Sequence, residues 1–367
     1  MGGGVTASAV YPAGRAARDR FVLDRRGPRH AVDPWAPPRL TIDPEPDGDG
    51  GVVGVATLFL TGRECPWRCV MCDLWRHTIE TDTPPGAIPH QIELGLAAWA
   101  EPKTRPGAEP AAQPGAEPGA QPAEVRGIRH VKLYNAGSFF DDRAVPPGDD
   151  PAIARAVSGV SRLTVESHPR LVGDRTWRFR DRLAPSLEVA MGLETAHPDA
   201  LACLNKGCTL DDFATAARAL AAHGVSLRVF LLVHPPFVPH DERTLWLLRS
   251  IDAAIDAGAS VIALIPTRGD PPDLEGGGAM GALSAAGLFA PPSLATLEDA
   301  AAQAIRHASG RARVLADLWD LATFAICPAC LDARRARLLR LNVEQRVPAP
   351  IACGACAAYD TSGAPPA

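Results

Sequence analysis

Three cysteines share one short segment of the chain. Cys65, Cys69 and Cys72 lie in TGRECPWRCVMCDLW, with the spacing C-x3-C-x2-C, directly after the apolar run GVATLFLT. Iron–sulfur clusters are normally held by four cysteine thiolates, so three thiolates leave one iron of a cubane without a protein ligand. An open metal position of this kind is where catalytic sites bind a substrate or cofactor. The alternative is a structural zinc loop with a distant fourth ligand, although such sites usually pair two C-x2-C elements.

Four further cysteines form two C-x2-C pairs. Cys327 and Cys330 make the first pair and Cys353 and Cys356 the second, with 22 residues between the pairs. This spacing predicts one four-thiolate metal site, which is either structural zinc or an auxiliary [4Fe-4S] cluster, because both use four cysteines. The segment between the pairs, ARRARLLRLNVEQR, is basic. It predicts either a contact with RNA phosphates or a solvated helix face.

Regular elements must position these motifs, and the chain contains six short apolar, β-branched runs with helical segments between them. Continuous apolarity is typical of strands buried on both faces of a parallel sheet. The clearest helix runs from Thr209, a plausible N-cap, to His223, with Gly224 as its stop. We therefore predict an α/β fold, a partial (β/α)6 TIM-like barrel with its active site at the carboxyl ends of the strands. The runs are 54–61, 129–136, 162–167, 187–194, 226–233 and 260–267.

Charged residues follow two of these runs. Glu166 ends the third run and Glu194 ends the fourth. A buried carboxylate is costly unless it is paired, so both are predicted to contact a cofactor or substrate; a structural salt bridge is the alternative. Lys206 lies in the segment LNKG, where Gly207 would let the backbone approach a ligand closely. Glu166, Glu194 and Lys206 are the predicted catalytic residues.

The three-cysteine motif in its barrel context resembles the radical S-adenosylmethionine (SAM) superfamily. In that superfamily SAM chelates the open iron, and electron transfer breaks its sulfonium bond to give a 5′-deoxyadenosyl radical that abstracts hydrogen. The resemblance implies a [4Fe-4S] cluster on Cys65, Cys69 and Cys72, SAM as cofactor, and a reductant such as flavodoxin or ferredoxin as partner. It also implies cofactor-binding residues at the strand ends: Asn135, Gly137, Ser138, Glu166, Glu194 and Pro266.

Within the superfamily, the chain looks most like the elongator/MiaB/NifB-type core, and there like the archaeosine-biosynthesis radical SAM lyase. YNAGSFFDDRAVP, VESHP, GLET with LNKGCTLDDF, and LLVHPPF carry this resemblance. It implies lyase-type chemistry on a tRNA base or a related nitrogenous substrate. The chain departs from the family at His168, where the family has arginine. Methylthio transfer and peptide or small-molecule modification are alternatives within the same radical chemistry. A non-catalytic iron–sulfur or zinc protein that binds RNA or carries electrons is the alternative of another class.

The composition is that of a globular protein. Apolar residues make up 46 % of the 367 residues, and the net charge of -5 argues against a whole-protein positive field for nucleic acid. The chain contains no run of about 18 apolar residues, so no membrane span is predicted. The first twenty residues lack the apolar stretch of a signal peptide. We expect a cytoplasmic protein with no membrane partner.

Three parts differ in composition. Residues 1–50 are rich in Pro, Gly and Arg and are expected to form an irregular lead-in, residues 51–310 the barrel, and residues 311–367 an extension with the cysteine pairs. Inside the barrel region, residues 101–124 contain PGAEPAAQ followed by PGAEPGAQ. This segment buries too little apolar surface to offset its ordering entropy, so it is predicted to be a disordered insertion.

Overall fold

Strands in chain order form one curled sheet. The computed structural model describes residues 10–48, 50–100, 126–271, 273–274, 277–354 and 356. Within these residues the sheet has eight strands, each paired with its neighbours in sequence; β1 is antiparallel to β2 and the other pairings are parallel. The strands are β1 (Arg39–Pro46), β2 (Val52–Phe59), β3 (Arg126–Tyr134), β4 (Arg162–Glu166), β5 (Ser186–Glu194), β6 (Ser226–Val233), β7 (Ala259–Pro266) and β8 (Arg313–Ala316).

Helices alternate with the strands, and local sequence sets their ends. The predicted helix after Thr209 is confirmed: the Thr209 side chain accepts from the Asp212 N–H, the Asp212 side chain accepts from the Thr209 N–H, and Gly224 follows with φ +65°. The helices are α1 (Arg15–Leu23), α2 (Ala87–Ala100), α3 (Asp150–Ala156), α4 (Asp174–Arg180), α5 (Pro198–Cys203), α6 (Leu210–Ala222), α7 (Arg243–Asp256), α8 (Ala279–Ala285), α9 (Leu294–Ala308) and α10 (Leu331–Glu344).

The predicted α/β partial barrel is confirmed, with the six predicted runs as the parallel strands β2 to β7. The sheet also has two edge strands that the sequence analysis did not predict. β1 (RLTIDPEP) contains two prolines and no buried residue, and β8 (RVLA) has only four residues. Neither strand carries the long apolar run by which buried strands are recognised.

The two faces of the sheet differ in chemistry. Residues on the outer face, such as Leu58, Leu133, Val165 and Val189, are wholly buried in the apolar core. The strands were expected to be apolar on both faces, but the concave inner face is polar. Because side chains alternate along a strand, the residues one position away from the core residues form a polar row in register across β2 to β5. This row is Thr57, Lys132, Thr164 and Glu188.

An ion-pair network fills the inner face near the amino-terminal ends of β5 and β6. Arg228 donates to Glu188 and to Glu45, each at 2.8 Å, and Lys132 also pairs with Glu45. Burial alone would raise the pKa of Glu45, but Arg228 and Lys132 outweigh it and hold that pKa well below its usual range. The carboxylates therefore stay charged and paired. We call Glu45, Lys132, Glu188 and Arg228 the charged floor.

The segment expected to be an irregular lead-in contains regular structure: α1 and β1 lie within residues 10–48. Phe21 and Val22 of α1 are buried against Leu204 and Leu283, which anchors this part of the chain on the carboxyl side of the barrel. The predicted insertion at 101–124 lies outside the described residues. Among the helices that the structure does describe, none is long and apolar enough to cross a membrane.

Candidate active site

The three clustered cysteines lie on the loop that leaves β2 at its carboxyl end; we call residues 64–72 the cluster loop. Glu64, at its start, binds three guanidinium groups: Arg26 at 2.8 Å, Arg29 at 2.5 Å and Arg68 at 3.0 Å. Burial would raise the pKa of Glu64, but hydrogen bonds from Arg29 and Arg26 lower it overall. The carboxylate is therefore ionised at neutral pH and fixes the first residue of the loop. Burial raises the pKa of the Cys69 thiol to about 12.

A second loop holds the cluster loop from the side; we call residues 204–207 the holding loop. The carbonyl of Leu204 accepts from the Val70 N–H at 3.0 Å, and the Asn205 amide donates to the Arg68 carbonyl at 2.8 Å. Gly207 has φ +73°, and a Cβ there would lie 2.9 Å from Trp67. Both the backbone conformation and the close approach require glycine. LNKG was predicted to approach a ligand; it approaches the cluster loop itself.

His168 joins the two loops. Its ring stacks on Trp67, with centroids 3.5 Å apart and planes 10° from parallel. Its Nδ1 accepts from the Arg170 N–H at 3.2 Å, so Nε2 carries the proton and donates to the Lys206 carbonyl at 3.1 Å. Burial lowers the pKa of His168 to about 3, and the positive charge of Lys206 adds to this effect. His168 is therefore a neutral residue that fixes the position of the cluster loop.

Glu194 and Lys206 form a buried ion pair at 2.8 Å, each side chain about a tenth exposed (10 % and 11 %). Glu194 has φ +68°, and a Cβ on Gly192 would lie only 2.0 Å from its carboxylate, so Gly192 makes room for the pair. Burial alone would lower the pKa of Lys206, but Glu194 and then Cys69 outweigh it and raise the pKa overall. Lys206 therefore stays protonated and places a positive charge beside Cys69. This suits a cluster site, because thiolate ligands are anionic.

Glu166 organises the turn after β3. Its Oε1 accepts from the Asn135 N–H at 2.6 Å and from the Gly137 N–H at 3.4 Å. Burial raises the pKa of Glu166 to about 7, although these backbone bonds oppose the shift. Gly137 lies against the cluster loop, since a Cβ on it would be 3.5 Å from the Cys65 Cβ. The turn, Glu166 and the first cysteine are thus in one place.

The side chain of Asn135 lacks hydrogen-bond partners among the described residues, which indicates a place for a ligand. It is wholly buried, yet neither its Oδ1 nor its Nδ2 has a hydrogen-bond partner within the residues that the structure describes. Buried polar atoms are nearly always paired, so an unpartnered amide at a site marks a position for a bound group. Ser138 differs, because its hydroxyl is satisfied by the His168 N–H at 3.1 Å and by Ser167 at 3.2 Å. Pro266 is buried at the end of β7, opposite Val233 of β6.

Aromatic side chains line the inner face between the charged floor and the strand ends. The Phe59 ring lies 4.7 Å from Trp319 and 6.4 Å from Tyr134, which in turn lies 5.9 Å from Phe230. All four residues are half-buried. We call these four residues the aromatic wall. The aromatic wall was not predicted from the sequence. The available signal was that Phe59 and Tyr134 each follow a fully buried leucine, Leu58 and Leu133, and so point to the opposite face of the sheet.

The overall shape resembles several solved structures. The chain aligns with methylornithine synthase at a TM-score of 0.48 and 14 % identity, over 80 % of this chain and 70 % of that one. It aligns with SuiB of Streptococcus suis bound to S-adenosylmethionine at a TM-score of 0.45 and 11 % identity, over 72 % of this chain and 51 % of that one. No family model matches the chain.

Sequence relatives are more specific. The chain is 32 % identical over 130 residues to archaeosine synthase subunit beta of Methanosarcina acetivorans, and 31 % identical over 142 residues to that of Thermococcus kodakarensis. These matches cover 34 % and 37 % of this chain, and 38 % and 41 % of the relatives, so the chain spans about two-fifths of their length. The predicted resemblance to the radical SAM superfamily is confirmed.

The residues that this radical SAM resemblance implies lie at one edge of the barrel. The cluster loop, the turn at 135–138, Glu166 and the pair of Glu194 with Lys206 are linked by the contacts described above. Glu194 is in a salt bridge, as the structural alternative expected, but its partner Lys206 is itself a predicted site residue. The roles of these side chains toward SAM stay predictions.

The second cysteine group is also assembled. Cys327 lies 3.4 Å from Cys330, 3.6 Å from Cys353 and 3.5 Å from Cys356, measured between sulfur atoms. Among the described residues, these four cysteines are the group compact enough to surround one metal ion.

The basic segment between the cysteine pairs fits neither expected role throughout. Arg334 and Arg337 of α10 are buried and form ion pairs with Glu298 of α9. Two of its arginines therefore face the protein and not RNA or solvent.

Proposed function

We propose that this chain is a radical SAM enzyme that acts on a planar nitrogenous ring, with a tRNA base as the preferred substrate class. The observation that carries the proposal is the cluster loop, fixed by the holding loop at the carboxyl edge of a partial barrel, with the charge of Lys206 acting on Cys69 and the unpartnered Asn135 in the turn that packs against Cys65. When bound, a [4Fe-4S] cluster with SAM supplies a 5′-deoxyadenosyl radical able to abstract hydrogen. Cys65, Cys69 and Cys72 would hold that cluster.

The surrounding residues have distinct tasks in this proposal. Lys206 stays protonated and balances the negative charge of the cluster ligands. Asn135 offers an amide donor and acceptor to polar groups of SAM, and Glu166 holds the turn that presents this amide. The inner face, closed by the charged floor, keeps bulk water away from the reacting atoms, as radical chemistry requires.

The aromatic wall supports the substrate class. Aromatic side chains with exposed ring faces bind flat heterocycles by stacking, which is how proteins commonly hold unpaired bases. Two of the relatives that match the chain are named archaeosine synthase subunit beta. The aromatic wall supports a planar ring as substrate, and the archaeosine name of these relatives supports lyase-type chemistry on a modified tRNA base. The name of the relatives also suggests a second subunit as partner, beside the electron donor.

The test is SAM cleavage by the full chain after anaerobic reconstitution with iron and sulfide. With dithionite, the wild-type protein is expected to form 5′-deoxyadenosine, and the Cys69→Ala protein none. Cys203→Ser is the matched control, because this thiol lies outside both cysteine groups. A Cys69→Ala protein that makes 5′-deoxyadenosine at the wild-type rate would refute the proposal. An intact cluster without SAM cleavage in the wild type would favour an electron carrier.

The substrate class is tested separately with total tRNA from cells that lack this activity, so that the proposed substrate base is not already converted. Intact tRNA is expected to raise the rate of 5′-deoxyadenosine formation above the rate without substrate. Deuterium from labelled tRNA should be transferred into 5′-deoxyadenosine. Tyr134→Ala should lower this stimulation while the uncoupled rate stays. Stimulation by peptide or small-molecule mixtures but not by tRNA would contradict the substrate class and leave the radical SAM proposal standing.

A further inference from the structure

Helix α10 covers the seam of the open barrel. It packs against β8 at one edge of the sheet and against β1 at the other. Its Asn342 side chain accepts from the Ala316 N–H at 2.7 Å and donates to the Ala316 carbonyl at 2.8 Å. Gln345 makes the same pair of bonds with Val314, both at 2.8 Å. Two side-chain amides thus pair the free edge of β8, which an open sheet would otherwise expose.

The four-cysteine group anchors the start of this helix. α10 begins directly after Cys330, and Arg334 in its first turns donates to the Cys330 sulfur at 3.2 Å while pairing with the buried Glu298. Arg337 donates to the carbonyls of Ala349 and Pro348, which ties the chain that returns to the second cysteine pair. Leu338 and Leu341 pack the later turns of α10 into the apolar core, and the four cysteines join the start of the helix to the returning chain.

The sulfur spacing separates the two metal types that share four cysteine ligands. A tetrahedral Zn²⁺ site with Zn–S bonds of about 2.3 Å has sulfur–sulfur edges of about 3.8 Å. Four of the sulfur–sulfur separations are 3.4, 3.6, 3.5 and 3.5 Å, close to that length. A cubane binds each cysteine to a different iron, so its thiolates are held apart by the whole cluster. The cysteines of the cluster loop do not form such a compact group.

We infer that Cys327, Cys330, Cys353 and Cys356 bind one structural Zn²⁺ ion that staples α10 across the seam between β8 and β1. Four thiolates around Zn²⁺ carry a net negative charge, and the guanidinium of Arg334 beside Cys330 balances part of it. All four ligands come from the protein, which is typical of a closed structural site and leaves no position for a substrate. This inference does not depend on the proposed radical chemistry.

Metal analysis of the full chain tests the identity of the ion. After anaerobic reconstitution we expect one zinc and four irons per chain. Cys353→Ser should lose the zinc and keep the iron, whereas Cys69→Ala should lose the iron and keep the zinc. Iron near eight per chain, falling to four in Cys353→Ser, would overturn the inference in favour of an auxiliary cluster.

Hydrogen–deuterium exchange tests the staple itself. The N–H groups of Val314 and Ala316 bond to α10, whereas the N–H of Asp317 bonds to Leu264 of β7 and reports on the sheet. Removing zinc from the folded wild type with a chelator should speed exchange at Val314 and Ala316 by about tenfold or more, with Asp317 unchanged. Asn342→Leu should speed exchange at Ala316 while zinc stays bound. Unchanged exchange after complete zinc removal would refute the staple.

Discussion

A neutral histidine stands where related enzymes are expected to have a cation, and its surroundings explain why it stays neutral. His168 is stacked on Trp67 and hydrogen-bonded through both ring nitrogens, and Lys206 supplies the nearby positive charge. A second cation at this position would be repelled by Lys206, and the carboxylate of Glu194 is already paired with Lys206. The departure from the family pattern at this residue is thus coupled to the ion pair of Lys206 with Glu194.

We expect His168→Ala to reduce cluster retention. The change removes the stack on Trp67 and the hydrogen bond to the Lys206 carbonyl, a loss of about 1–3 kcal/mol in folding free energy. Iron per chain after reconstitution and the denaturant midpoint measure the two effects. His223→Ala is the matched control, because His223 stacks on Trp177 at 3.8 Å in another part of the molecule. Equal iron content in both variants would contradict the role of His168.

Because of Glu166, we expect the stability of the protein to depend on pH when neither cluster nor SAM is bound. Its pKa is raised by burial from 4.5 to about 7, so the folded state binds the proton more tightly than the unfolded state. The resulting stabilisation is complete below pH 4.5 and is lost as the pH rises through 7, by about 3 kcal/mol at most. Urea unfolding between pH 5 and pH 8, an assay window of about three units, measures it. In the Glu166→Gln protein the free energy of unfolding should not fall over this pH range. The same fall in both proteins would rule out Glu166 as its cause.

At the scale of elements, the active site depends on two loops that lie far apart in sequence and on the helix that precedes both. α1 reaches the holding loop through Asp19, which accepts from Asn205 at 2.7 Å, and Arg18 donates to the Ala202 carbonyl at 2.7 Å. The cluster loop is therefore fixed by three separate segments before any cofactor binds. Sites that are organised in advance lose less freedom on binding.

Gly207→Ala should separate the two loops. The new Cβ would lie 2.9 Å from Trp67 in a backbone with φ +73°, so both a clash and backbone strain arise. Gly224→Ala provides the control for strain alone, since Gly224 has φ +65° and nothing within 4 Å of the added Cβ. Both variants should lose about 1 kcal/mol of stability from the left-handed backbone, and Gly207→Ala more. Only Gly207→Ala is expected to bind less iron; normal iron content would show that the close approach is dispensable.

At the scale of the whole molecule, the sequence was sufficient for the barrel but not for its closure. β2 to β7 could be recognised because each carries a run of buried apolar residues. The edge strands could not, because β1 has no buried residue and β8 is four residues long. The cysteine spacing predicted that Cys327, Cys330, Cys353 and Cys356 come together, as the structure shows, and the role of the cluster-loop cysteines as iron ligands stays a prediction. The aromatic wall joins Phe59 at the end of β2 to Trp319 in the turn after β8, a contact between distant parts of the chain that no local pattern records.

The charged floor occupies the amino-terminal end of the barrel interior, which leaves the carboxyl ends of the strands as the entrance. Its ion pairs occupy the amino-terminal side of the inner face, the aromatic wall lies next, and the turn at 135–138 and the cluster loop lie at the opposite rim. If SAM and the ring bind as proposed, a ring held at the aromatic wall lies deeper in the barrel than SAM and has to enter before it. We therefore expect compulsory-order kinetics in which SAM, once seated, blocks the deeper compartment. In steady-state assays, substrate inhibition by SAM at low concentrations of the ring compound would reveal this order. Random-order kinetics would instead show that the ring compound can reach its site by a route that SAM does not block.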